Sequence, residues 1–122
     1  MNLNQATEKF TALCSRLCKD NHSYTAINVR RHNQAMQQLS IWAMRLSYEA
    51  LAIQTEVYTH LLQNADEIVK LNAASFALKY GVCKDMAVSV LEHLQLEAMP
   101  LVAFDAEMTL KVWRGEFPGR TL

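Results

Sequence analysis

At 122 residues, 51% of them hydrophobic and 20% charged, the chain is long enough for one domain that buries roughly two-thirds of its unfolded surface without disulfides or metal. Twelve Lys plus Arg balance twelve Asp plus Glu, which removes any overall electrostatic pull toward nucleic acid or an anionic membrane. Three glycines and two prolines, with Gly115, Pro118 and Gly119 crowded near the C-terminus, leave too few chain breakers for a many-turned β fold.

The expectation is an all-α chain of about six helices, with residues 1–122 forming a single domain. The first helix spans about Asn4 to Lys19, with Leu3, Phe10, Leu13, Cys14 and Leu17 on one stripe and DNHS closing it. The second runs from about Tyr24 to Leu46. Its dry side carries Val29, Ala35, Met36, Leu39, Trp42, Ala43 and Leu46, while Arg30, Arg31, Gln34, Gln37 and Gln38 face away. Ser47 is placed to cap the third, about Tyr48 to Gln63, whose apolar arc holds Leu51, Ile53, Val57, Tyr58, Leu61 and Leu62.

The fourth helix, DEIVKLNAASFALKYG, is different. At about 100° per residue its apolar positions fall into two groups. Val69, Ala73, Phe76, Ala77 and Tyr80 make one stripe, and Ile68, Leu71 and Leu78 make another on roughly the opposite side. Such a helix must be covered twice, with Ala73 against a close neighbour and Ala74, beside Lys70, freer to vary. Gly81 follows as a left-handed cap. A fifth helix, about Lys84 to Ala98, returns to one-sided patterning through Met86, Ala87, Val90, Leu91 and Leu94. Pro100 opens the sixth, about Leu101 to Arg114, with Val102, Ala106, Leu110 and Trp113 on its stripe. A doubly covered middle helix with short connections predicts antiparallel pairs stacked in layers, the alternative being a compact helical bundle.

The stretch LLQNADEIVKLNAASFAL resembles a HEAT-type repeat, through Leu61 and Leu62 ending one helix, Asp66 opening the next, and Val69, Lys70, Ala73, Ala74 and Leu78 within it. The later stretch, AVSVLEHL through AFDAEMTLKVWRGE, is similar to the end of a family of short bacterial HEAT-like proteins of unassigned function that tend to finish in a Leu-x-x-Trp-x-x-Gly-like segment; here that ending is Leu110, Trp113 and Gly115, with the spacing altered. HEAT repeats usually carry Arg where this chain has Lys70, and Lys lacks the planar multidentate donor, so the match speaks for a HEAT-like shape more than for a long regular solenoid. The resemblance covers about residues 48–116. It implies a short right-handed solenoid that presents a surface to a protein partner, most specifically a bacterial immunity protein neutralising a cognate toxin. A non-immunity adaptor and a HEAT-like DNA-binding or base-repair protein are the alternatives.

Between Asp85 and Leu110 there are five acidic residues, Asp85, Glu92, Glu97, Asp105 and Glu107, and no Lys or Arg. They are the candidate partner-binding residues, an acidic ridge suited to a basic protein such as a toxin domain. The basic set is smaller: Arg30 and Arg31 with Arg16 and Lys19 upstream, lacking interleaved aromatics, reads as a solvated face rather than a nucleic-acid interface.

No catalytic residue is expected. The hydrolase elbow, phosphate loop and paired-histidine zincin pattern are missing, and His32, His60 and His93 stand apart from any nucleophile in sequence. Cys14, Cys18 and His22 have i, i+4, i+8 spacing, yet two thiolates and one imidazole leave a zinc site incomplete and Cys14 sits in the apolar stripe, so they are read as structural thiols with no metal or cofactor. Three cysteines are an odd number without a disulfide framework. No apolar run approaches membrane-spanning length and MNLNQATEKF lacks a secretory pattern, so the expectation is a soluble, cytoplasmic protein.

Overall fold

Six α-helices and no strand make up the described residues, 2–17 and 26–116, of the computed structural model. They are α1 (Leu3–Cys14), α2 (Ala26–Leu46), α3 (Leu51–Leu62), α4 (Glu67–Tyr80), α5 (Lys84–Glu97) and α6 (Pro100–Trp113). The all-helical expectation is met. None of these helices is long and apolar enough to cross a membrane. Contacts divide the chain into two compact units, Met1–Val57 and Tyr58–Leu122, the division falling inside α3.

In the first unit, α1 packs on α2. Asn2 starts α1 by accepting from the amides of Asn4 (2.9 Å) and Gln5 (3.3 Å), which satisfies two of the otherwise orphaned N-terminal donors. The helix stops at Cys14, short of the expected Lys19. Ser15 donates its hydroxyl back to the Ala12 carbonyl at 2.6 Å, and the Arg16 and Leu17 amides tighten onto Leu13 and Cys14. The expected remainder, Lys19 with DNHS, lies outside the described residues. Phe10 is fully buried against Trp42, ring centroids 4.6 Å apart at a 53° tilt, and the Trp42 indole N–H donates to the Ala6 carbonyl at 3.2 Å. The aromatic body and the polar tip of Trp42 are therefore both used in joining α1 to α2.

The third helix begins at Leu51 rather than Tyr48. The amides of Tyr48 and Glu49 bond back to Arg45 and Leu46, prolonging α2 by a tight turn, and Ser47 donates to Met44 instead of capping α3. Gln54, buried, donates its amide to the Ser47 carbonyl (3.3 Å) and the Glu49 carbonyl (2.8 Å), so a helix side chain satisfies the turn that precedes it. Leu51, expected on the apolar arc, is 66% exposed because it stands at the helix start, before Gln54 and Val57 turn inward.

In the second unit, α4 packs on both α5 and α6, and α5 packs on α6. This accounts for the two apolar faces of α4: Ile68, Val69, Leu71, Ala73, Ala74, Phe76, Ala77 and Leu78 are all buried. Ala74 is as fully buried as Ala73, which corrects the expectation that it varies freely; the strip between the two stripes is itself covered. Asn72 is buried as well, and its amide donates to the Ile68 carbonyl at 2.8 Å. Asp66 caps the start through the Ile68 amide at 2.8 Å. At the other end Gly81 is left-handed (φ 71°, ψ 28°), and the Val82 amide reaches the Ala77 carbonyl at 2.9 Å, closing the helix in a Schellman turn.

Candidate functional site

The fifth and sixth helices form a hairpin with an abrupt turn. Ala98 and Met99 are extended, with ψ of 170° and 150°, and Pro100 then supplies a ring already set for the first turn of α6. Glu67, in the first turn of α4, accepts from the Met99 amide at 3.2 Å and so ties the turn to the neighbouring helix.

Around this turn three large apolar side chains stand in solvent: Leu96 is 84% exposed, Met99 59% and Phe104 55%. Leu96 and Phe104 fall off the buried stripes of their helices, which are Ala87, Leu91 and Leu94 on α5 and Val102, Ala106 and Leu110 on α6, while Met99 precedes α6 in the turn itself. On α5, Asp85, Glu92 and Leu96 share one line at i, i+7, i+11. Arg114 reaches Glu92 across the hairpin at 3.8 Å, setting that line on the same side as the Phe104 and Glu107 face of α6.

The five sequence-selected acids all lie on this hairpin, but they do not form a uniform negative ridge. Asp85, Glu92, Glu97 and Asp105 are exposed and Glu107 is half-buried. Lys111 pairs with Glu107 at 3.1 Å, His93 sits 3.1 Å from Glu97, and Arg114 takes Glu92. Cations just outside the acidic run in sequence fold back onto it. From Lys84 to Arg114 five acids against three bases still leave a net −2. Sequence reasoning picked these acids and passed over Leu96, Met99 and Phe104; the signal for Leu96 and Phe104 was position, since each lies off the regular stripe of its helix.

The first unit carries a second feature that the sequence did not announce, a groove of about 340 Å³ between α1 and α2. Gln5, Ala6 and Lys9 line one wall, and Gln38, Ile41, Trp42 and Arg45 the other. Two cations and two amides rim an apolar floor, with no acidic residue in the lining. Among the described ion pairs neither Lys9 nor Arg45 takes part. The basic residues singled out earlier, Arg16, Arg30 and Arg31, are exposed, while Lys19 lies outside the described residues.

Other chemistry-bearing residues do not converge. Among the described residues no group of three His, Cys, Asp or Glu is placed to hold a metal ion. Cys14 is buried, and Cys18 and His22 lie outside the described residues. Cys83 opens α5 in a left-handed conformation (φ 51°), its Sγ 3.7 Å from the Thr59 hydroxyl. Burial first, then nearby Tyr80 and Cys83, push the Tyr58 hydroxyl well above the ordinary tyrosine range, so this phenol stays neutral.

No protein-family model matches the chain, and neither does any curated protein or solved structure. The HEAT-type resemblance accordingly stands on the residues from Leu61 to Leu78 and on the Leu110, Trp113 and Gly115 ending alone.

Proposed function

We propose that the chain is a protein-binding module, HEAT-like in the pairing of its helices, that docks a basic partner through the α5–α6 hairpin. The carrying observation is the exposure of Leu96, Met99 and Phe104 beside Glu92, Glu97 and Asp105. Exposed apolar anchors within a charged rim are the composition of a docking site: the anchors supply the energy when desolvated, and the charges select and steer the partner. The most specific form of this reading is a cytoplasmic bacterial immunity protein that masks a cognate toxin. A non-immunity adaptor would use the same surface.

The test pairs the purified chain with a basic toxin domain encoded beside its gene. Association should slow as salt rises, slow strongly when Glu92 and Glu97 are reversed to Lys, and respond little to reversal of Arg30 and Arg31. Leu96→Ser with Phe104→Ser should chiefly speed dissociation. A labelled DNA duplex is the counter-probe. Submicromolar duplex binding, lost on reversing Arg30 and Arg31 and with no protein captured, would overturn both protein-binding forms in favour of the DNA-binding one.

A further inference from the structure

The groove between α1 and α2 and the α5–α6 turn are chemical complements. The groove offers Lys9 and Arg45 over an Ile41 and Trp42 floor, with amides from Gln5 and Gln38 and no acid. The surrounding helices reinforce that sign, since α1 and α2 together hold four bases and one acid, and α2 holds no acid at all. The turn offers Leu96, Met99 and Phe104 amid Glu92, Glu97 and Asp105, on a hairpin of net charge −2. At about 340 Å³ the groove lies at the small end of the range for ligand cavities, suited to one or two protruding side chains rather than to a folded segment.

We propose that the groove receives the α5–α6 turn of a second copy of this chain, giving weak head-to-tail self-association. The inference rests on the reading of that turn as a docking surface and adds a competitor for it. Any apolar-tipped acidic peptide would satisfy the groove chemically, but the chain itself supplies such a tip at a concentration equal to that of the groove. Because the two patches differ, the contact is heterologous: each copy keeps one free groove and one free turn, and association extends unless geometry closes a ring. Exposed charge pairs in water contribute little each and are screened by salt, so the association is weak and strongest at low ionic strength. Occupation by a second copy hides Leu96 and Phe104, and a tighter foreign partner should displace it.

Sedimentation equilibrium across the accessible concentration range, at low and high salt, tests this directly. The average mass of the unaltered chain should climb above 13.9 kDa with concentration at low salt and fall back at high salt. A groove-blocked chain, Lys9→Glu with Arg45→Glu, and a turn-blocked chain, Leu96→Ser with Phe104→Ser, should each stay monomeric. Their equimolar mixture should form a heterodimer and grow no further, because one intact groove then meets one intact turn. An unaltered chain that stays monomeric throughout, a blocked chain that still associates, or a mixture that stays monomeric would each overturn the proposal. If Phe104→Ser lowers the melting temperature, Glu92→Lys with Glu97→Lys replaces it as the turn block, and adding that pair to the groove-blocked chain should restore association. Toxin-domain capture by the groove-blocked chain separates the two readings. Retained capture with lost self-association supports both, whereas no capture by either the groove-blocked or the unaltered chain, with self-association seen in the unaltered chain alone, leaves the homotypic contact standing and removes the toxin-binding reading.

Discussion

The two compact units solve the same problem with different means. The first joins two one-sided helices around one aromatic pair, Phe10 against Trp42, with the Trp42 indole hydrogen-bonded to Ala6 and with Leu13, Cys14 and Leu39 buried as well. The second wraps one helix, α4, with two others, and spreads the burial over small and medium side chains, among them Val69, Ala73, Ala74, Ala77 and Leu78 at 4% exposure or less. Concentrated packing makes single large side chains decisive. Distributed packing instead makes helix separation decisive, because alanines set how closely backbones approach.

The largest expected effect follows from the concentrated junction. Phe10→Ala should cost about 3–5 kcal/mol, read from the denaturant midpoint at unchanged slope, because the cavity faces a ring that cannot collapse into it. A loss below about 1 kcal/mol would show that the α1–α2 junction does not depend on this pair. Next come overpacking changes in α4. Ala73→Leu and Ala74→Leu should each cost about 1–3 kcal/mol, and by similar amounts, since neither position has exposed surface. Marked tolerance at Ala74 alone would restore the two-stripe description and contradict the three-helix wrapping.

Backbone and turn effects are smaller. Gly81→Ala should lower stability by about 1 kcal/mol through its left-handed φ alone, as no heavy atom beyond its chain neighbours lies within 4 Å of the position a Cβ would take. Gln54→Ala should cost about 1 kcal/mol by leaving the Ser47 and Glu49 carbonyls to water or unpaired. Smallest of all, Glu97→Gln should change the melting temperature hardly at all, the exposed i, i+4 contact with His93 being worth at most about 0.5 kcal/mol. A large loss there would mean that Glu97 supports the hairpin itself and that its reversal cannot be read as a test of docking charge.

Much of the fold was legible where periodicity and capping chemistry agree. The doubled apolar pattern of α4, its Asp66 start and its Gly81 stop were readable because each depends on residues within one turn. Boundaries failed where local hydrogen bonds competed: Ser15 ended α1 early, and the turn after Leu46 delayed α3 to Leu51. Part of the candidate site was legible too. The acids Asp85, Glu92, Glu97, Asp105 and Glu107 were found as a run lacking bases, but their partners Lys111 and Arg114 reach them through helix geometry, which a linear count does not contain. Met86 and Trp113, assigned to buried stripes by spacing, are 37% and 39% exposed, since a stripe near a helix end outruns the neighbour that would cover it.

By itself the sequence determined that this chain is helical, where most of its helices break, and that α4 needs cover on two sides, because these follow from hydrophobic period and from a few capping residues acting locally. Only the tertiary structure decided that α5 and α6 provide that cover, that Ala74 is sealed along with Ala73, and that Trp42 joins α2 to α1 through Ala6. It alone also decided that Leu96, Met99 and Phe104 remain in solvent and that Lys9 and Arg45 rim one groove. Which apolar residue is buried and which is left to meet a partner depends on where neighbouring helices end in space, and no periodicity within a single helix encodes that distance.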